Sequence, residues 1–174
     1  MGENLAIEGR MSVRSPMQWS DAPNAGFSDA KPSQLRRPIT EGQFGAMAVN
    51  VADQERDPAS LLNWMERTIR RRRATPALGW GKAQVLRTGE RSVFAHRVDW
   101  EGTTMLLVHS FSSEPQSVRI ELGPTDDEAH VVDVLDEGRS ITGMDDGGLE
   151  LKLEAHGYRW FRVEQGAAPR SRPK

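Results

Sequence analysis

Cysteine is absent from this chain, which excludes disulfides, thiolate zinc sites and a cysteine nucleophile at once. Long apolar runs are missing as well, and nothing approaches the roughly 18 residues of a membrane-spanning helix. Residues 1–20 carry acidic and polar groups where a secretory leader would need an apolar stretch, so the expected compartment is the cytoplasm. Charge of one sign is scarce too. A net charge of −2 and a pI near 6.1 leave no global field to attract nucleic acid or an anionic membrane, and neither is expected as a partner. His96, His109, His130 and His156 lie in separate strand regions without ligand spacing, and no glycine loop is built for phosphate. Neither a metal nor a cofactor is expected. What is present is ordinary: 174 residues, 37% hydrophobic and 28% charged, suffice for a real core in one domain plus an appendage.

Residues 1–56 show no sustained helical or strand period. Gly2, Gly9, Gly26, Gly42 and Gly45 alternate there with Pro16, Pro23, Pro32 and Pro38, all of which interrupt regular structure. Yet Met11, Met17, Trp19, Phe27, Leu35, Ile39 and Phe44 set the segment apart from a disordered composition. It reads as a long loop that expects a surface to lie on. Less protection than in the rest of the chain, or order only through a second chain, is the expected outcome.

At Asp57 the signal changes. Asp57 suits an N-cap and Pro58 a first helical position. Leu61, Leu62, Met65 and Ile69 then share one face, with Glu66, Arg67, Arg70 and Arg71 on the other. The predicted helix covers 57–73, about 17 residues and roughly 25 Å. Arg70 to Arg73 crowd its last turns, where cations complement the helix dipole. Past residue 80 the period becomes 2, with strands predicted at 83–88, 92–99, 103–111, 116–122, 130–135, 149–154 and 157–164. The stretch around Met105 and Leu107 is apolar on both faces and fits a central strand. Val118, Ile120 and Leu122, and separately Leu149, Leu151 and Leu153, alternate with charges and should each have one wet face. The fold class is therefore mainly β: an antiparallel sandwich over 80–165, followed by a disordered tail at 166–174.

Residues 14–28 read Arg-Ser-Pro-Met-Gln-Trp-Ser-Asp-Ala-Pro-Asn-Ala-Gly-Phe-Ser. This resembles the arginine-x-Pro-Met-Gln-Trp loop of glycoside hydrolase family 13, the α-amylase family, in its trehalose synthase and α-glucosidase branch. The resemblance implies a loop that follows the eighth strand of a (β/α)8 barrel and lines the active-site rim. It also implies that Arg14, Gln18 and Trp19 are substrate-binding residues, latent here. Met1 to Asn4 is similar to the stretch just after that strand. Asp57 to Trp64 resembles the start of the eighth barrel helix, and residues 93–164, ending in Gly157-Tyr158-Arg159-Trp160-Phe161, resemble the sandwich called domain C. On that reading 1–79 is a barrel remnant, with rim loop 1–56 and helix 57–73.

A (β/α)8 barrel takes roughly 250 residues, most of them ahead of its last loop. The family's retaining mechanism needs a nucleophilic carboxylate and a carboxylic acid about 5 Å apart. The resemblance puts both, and the third sugar-binding carboxylate, before the part of the family that this sequence matches. The chain is thus expected to be the C-terminal fragment of an α-glucosyl hydrolase or transferase, inactive alone, whether by truncation, a miscalled start or a split gene. Its parent's substrate would be an α-glucosidic saccharide of the maltose or trehalose class. Partners would be a barrel-containing chain or a second copy of itself. Alternatives are a stand-alone glucan-binding sandwich or a subunit completing a split enzyme.

Other candidate features carry less. Asp126-Asp127 and Asp145-Asp146 read as solvated turn residues, and Glu55 and Asp57 as caps. Four consecutive arginines at 70–73 point around a helix and do not form one stripe, so they read as a solvated helix end. Trp64 and Trp160 fit a barrel–sandwich seam. Trp100, placed in a hairpin turn, stays a candidate for stacking on a sugar ring.

Overall fold

The computed structural model describes residues 13–123, 129–135, 141–143 and 148–166. Asp126-Asp127, Asp145-Asp146, the tail beyond Gly166 and the Met1–Asn4 stretch lie outside the described residues. The chain divides into two compact units, Met1–Arg67 and Thr68–Lys174.

The first unit is more ordered than its lack of period suggests. Three short 3₁₀ turns, Pro23–Gly26, Pro32–Gln34 and Gly42–Phe44, precede a helix α1 at Val51–Arg56. Asn50 is its N-cap, with its side-chain oxygen accepting from the Asp53 N–H at 2.9 Å. Six residues are too few to reveal a 3.6-residue period, which is why α1 is invisible to pattern reading.

The next helix, α2, covers Leu61–Ala74 and does not begin at Asp57. Asp57 closes α1 instead, and its carboxylate accepts from the Ala59 N–H at 2.9 Å. The capping role falls to Ser60, whose Oγ accepts from the Asn63 N–H at 3.2 Å and donates to the Gln54 carbonyl at 2.6 Å. Asn63 Nδ2 adds a bond to that same carbonyl at 2.7 Å and another to Asp57 O at 2.8 Å. These bonds take up the last carbonyls of α1, so the chain turns and restarts four residues after the predicted cap. The apolar stripe of α2 is uncovered: Leu61, Leu62, Met65 and Ile69 are all exposed, and no residue of the helix is buried.

The second unit holds a four-residue helix α3 at Ala77–Trp80 and eight strands: β1 Lys82–Leu86, β2 Val93–Trp100, β3 Thr103–Ser110, β4 Gln116–Glu121, β5 His130–Asp133, β6 Ile141–Gly143, β7 Gly148–Leu153 and β8 Tyr158–Glu164. Seven coincide with the predicted strands. The three-residue β6, which pairs antiparallel with β5, was not foreseen, because so short a strand offers no alternation to read. All pairings are antiparallel, in a six-stranded sheet of order β1-β2-β3-β8-β5-β6 and a two-stranded sheet β4-β7.

Between the sheets lies the main core. Leu106 and Val108 of β3 meet Val118 and Ile120 of β4, Leu149, Leu151 and Leu153 of β7, and Phe161 of β8. The charged residues of β4 and β7 face water, as their alternation requires. The other face of β3 is also covered. Met105 and Leu107 pack with Val98 and with Ala77 of α3, flanked by Leu78, Trp100, Val134 and Trp160. Trp100 is thus the last residue of β2 and part of a hydrophobic cluster, not a free hairpin aromatic. Gly81 makes the approach of α3 to β2 feasible, since a Cβ there would stand 2.4 Å from Val98 Cγ1 and 2.5 Å from the Ala77 carbonyl. Arg97 stitches the two sheets at one edge, donating to the Leu122 carbonyl at 2.8 Å and to Asp99 at 2.7 Å.

Candidate functional site

The Arg14–Phe27 loop is built from polar bonds. Gln18 is buried, and its side-chain amide donates to the Val49 carbonyl. Its own carbonyl accepts from the Val51 N–H at 3.0 Å, and the Trp19 carbonyl accepts from Ala52 N–H at 3.0 Å. With Asn50 Oδ1 on Asp53, every first-turn N–H of α1 is satisfied, two of them by the loop itself. Asn50 is buried too, and its Nδ2 donates to the Ala46 carbonyl at 2.9 Å. Motif loop and helix are therefore one hydrogen-bonded object. A cleft between them is lined by Val13, Ser15, Pro16, Met17, Gln18, Val49, Asn50, Val51 and Gln54, and Gln18 Oε1 is buried without a partner.

Immediately after Trp19 the backbone enters the left-handed region three times in succession, at Asn24 (φ 53°), Ala25 (φ 57°) and Gly26 (φ 66°). Each non-glycine residue held there costs about 1–2 kcal/mol. Asn24 Nδ2 offsets this by donating to the Ser28 and Ala30 carbonyls at 2.8 and 2.7 Å. The buried Ala25 turns its carbonyl to the N–H groups of Trp19 and Ser20, at 2.8 and 3.2 Å. Over-determined strain of this kind clusters at functional loops. Its result is that Trp19 is fixed at the backbone while its indole stays 51% exposed. Arg14 is exposed on the same loop, and Phe27 is 48% exposed.

The sequence-predicted residues thus divide by environment. Arg14 and Trp19 reach solvent, whereas Gln18 lies beneath them with its amide engaged. Asn24, Ala25 and Asn50 are the members that sequence reasoning missed. The signal available for Asn50 was its place three residues before Asp53 at the head of a short apolar–polar run.

Elsewhere, Asp133 and Glu154 line a second recess with His156, Tyr158 and Arg159. Both carboxylates face one cation: Arg159 is 2.9 Å from Glu154 Oε2 and 3.8 Å from Asp133 Oδ2. Glu154 is held below the usual carboxylate range by its own backbone N–H first and by Arg159 second. A general acid for glycoside cleavage needs the opposite shift. The pair is an ion-pair brace. No group of three or more metal-ligating side chains occurs among the described residues, and no described helix is long and apolar enough to cross a membrane.

Residues 1–81 match the family described as alpha amylase, catalytic domain, and residues 102–162 match sucrose hydrolase-like, C-terminal domain. The chain is 33% identical over 168 residues to the trehalose synthase of Pimelobacter sp. (strain R48), covering 94% of this chain and 29% of that protein. It is 32% identical over 182 residues to the trehalose synthase/amylase TreS of Mycobacterium tuberculosis, covering 97% of this chain and 29% of that protein. The crystal structure of the trehalulose synthase MutB from Pseudomonas mesoacidophila MX-45 superposes with a TM-score of 0.65 at 27% identity, over 92% of this chain and 27% of that one. The chain spans less than a third of the length of these relatives. Two family models of the α-amylase group thus match the chain one after the other, and the chain belongs to glycoside hydrolase family 13, the α-amylase family, of which it matches a C-terminal portion.

Proposed function

We propose that these residues supply the active-site rim and the C-terminal sandwich of an enzyme that hydrolyses or transfers α-glucosyl groups of the maltose, trehalose or sucrose class. Arg14 and Trp19 face the sugar, and Gln18 carries them from beneath. One observation supports this most: the motif loop is locked to α1 by polar bonds while the guanidinium of Arg14 and the indole of Trp19 remain exposed. A guanidinium fork suits a sugar hydroxyl pair or a catalytic carboxylate, and an indole suits the face of a pyranose.

The uncovered apolar groups favour the same reading. Met17, Phe44 and Met47, together with the α2 stripe, are exposed apolar groups, and such groups mark an interaction surface where they gather. We take the barrel of the same enzyme as the body that covers them. On this proposal 1–79 is barrel-derived, with its rim loop at 1–56, 80–165 is the sandwich and 166–174 a tail; the enzyme works in the cytoplasm. On this proposal the 174 residues alone carry no turnover, because a retaining site needs a nucleophilic carboxylate and a carboxylic acid about 5 Å apart, and Glu154, paired with Arg159, is held below the usual carboxylate range and is no acid.

A chimera tests the proposal. This chain replaces the corresponding C-terminal portion of the Pimelobacter trehalose synthase, and kcat/KM on trehalose and maltose is measured. Arg14→Ala and Trp19→Ala in the chimera are expected to reduce kcat/KM by roughly 100-fold or more, the scale of a lost charge-assisted or stacking contact in a closed site. Variants that leave turnover unchanged would remove both residues from the substrate-facing rim.

A further inference from the structure

Five arginines, Arg56, Arg97, Arg119, Arg159 and Arg162, each have a carboxylate oxygen within hydrogen-bond distance. Arg14, Arg36 and Arg37 do not: no ion pair or hydrogen bond joins any of the three guanidiniums to another described residue. All three line one groove of about 410 Å³ in the first unit, whose remaining lining is Ser15, Pro16, Phe27 and Leu35. No carboxylate among the described residues contributes to that lining.

Among the described residues these three cations have no carboxylate partner, and like charges lining one groove repel one another. The groove's apolar side strengthens any charge pairing made there, because Phe27, Pro16 and Leu35 keep water away from one flank. Guanidinium is the group that matches the tetrahedral oxygens of a phosphate with paired N–H donors. A carboxylate would balance the charge of one guanidinium and leave two, and a neutral sugar, although its hydroxyls can accept hydrogen bonds, would balance none. The half-exposed ring of Phe27 offers a flat face to a pyranose attached to the phosphate.

We infer that the groove formed by Arg14, Arg36, Arg37, Phe27 and Leu35 is a binding site for a phosphate monoester, with the phosphoryl group among the guanidiniums and its organic part against Phe27. The site goes beyond the α-glucosyl reading and stands on Arg36 and Arg37, which that reading does not use. A free inorganic phosphate shares the same chemistry, and the two sources separate in titration.

The full 174-residue chain, ¹⁵N-labelled, is titrated with sodium phosphate, glucose 6-phosphate and glucose at constant ionic strength. Glucose 6-phosphate and phosphate should shift amide signals of the groove with dissociation constants on the order of millimolar, and glucose should not. Arg36→Gln and Arg37→Gln should each weaken binding by about tenfold or more, the loss of a hydrogen bond to a charged group. Arg72→Gln and Arg73→Gln, cations of α2 outside the groove, should leave it unchanged. Phe27→Leu should lower the affinity for glucose 6-phosphate but not for phosphate. Equal affinity for both ligands in the wild-type chain, with the arginine effects intact, would keep the anion site and assign it to free phosphate. The inference is overturned if chloride reproduces the phosphate shifts, or if Arg36→Gln and Arg37→Gln bind as the wild type does. Failure here leaves the rim reading of Trp19 standing, since the chimera measures that separately.

Discussion

His96 and His109 stack with ring centroids 6.4 Å apart and planes inclined by 10°, on neighbouring strands of the larger sheet. Phe94 lies against His96 at 5.1 Å. Burial holds both imidazoles below their ordinary range, and for His109 the neighbouring His96 adds to the effect. The sign follows from linkage. Above the unfolded-chain value of about 6.5 both rings are neutral in either state, and stability does not depend on them. As pH falls through that value the unfolded chain takes up protons that the fold resists, so stability declines toward the lowered folded value. The urea midpoint of the wild type should therefore drop between pH 7.5 and 5.5 more than that of His109→Leu; parallel profiles would contradict the assignment. The sequence placed His109 on a strand, and the structure has it half-buried in β3. Its partner His96 was not legible, because which residues face each other depends on the β2–β3 register. Leu107 was legible, since a strand apolar on both faces has to be covered on both. Its truncation to Ala should cost roughly 2–5 kcal/mol by denaturant titration, and a loss below about 0.5 kcal/mol would contradict its burial with Met105 and Ala77.

At the scale of elements, the motif loop and α1 were the least readable part, for a physical reason. Periodicity reports apolar burial, and this segment orders itself by other means. Its apolar groups remain exposed, while Gln18, Asn24 and Asn50 supply side-chain bonds to backbone carbonyls and amides in place of a ladder. Hydrogen exchange around Gln18 and Trp19, set against that at Leu107, measures the expected lower protection of this segment. Asn50→Ala should remove the α1 cap at a cost of about 1 kcal/mol and speed amide exchange at Val51, Ala52 and Asp53 together. Unchanged exchange there would show that the loop does not depend on the cap. Gly26→Ala tests the left-handed turn. Its φ is +66° and a Cβ would stand 2.6 Å from Ser20 Oγ, so a loss of at least about 1–2 kcal/mol is expected. A variant with native stability and an unaltered Trp19 environment by fluorescence would rule out strain at this turn. The helix start was misread for a related reason: Asp57-Pro58 has the form of a cap, but Asn63 and Ser60 bind the end of α1 and delay the next helix to Leu61.

At the scale of the whole molecule, two facts meet. The described strands of the sandwich enclose two hydrophobic clusters, and its seven predicted strands were readable because alternation and burial coincide there. The first unit instead presents Trp19, Phe27, Phe44 and Met47, with Leu61, Leu62 and Met65 of α2, to solvent, the surface of a part made to lie against something else. The chain covers 29% of the trehalose synthases it resembles, and the account assigns the glycosyl chemistry to carboxylates that these residues do not provide. The most direct test is a turnover assay of the purified 174-residue chain on maltose, trehalose and p-nitrophenyl α-glucoside, read as glucose or nitrophenol released and as interconversion of the disaccharides. The account predicts no rate above buffer at any pH between 5 and 8. Turnover that follows the chain through repurification would contradict it, and loss of that turnover on Asp133→Asn or Glu154→Gln would move the chemistry into the sandwich.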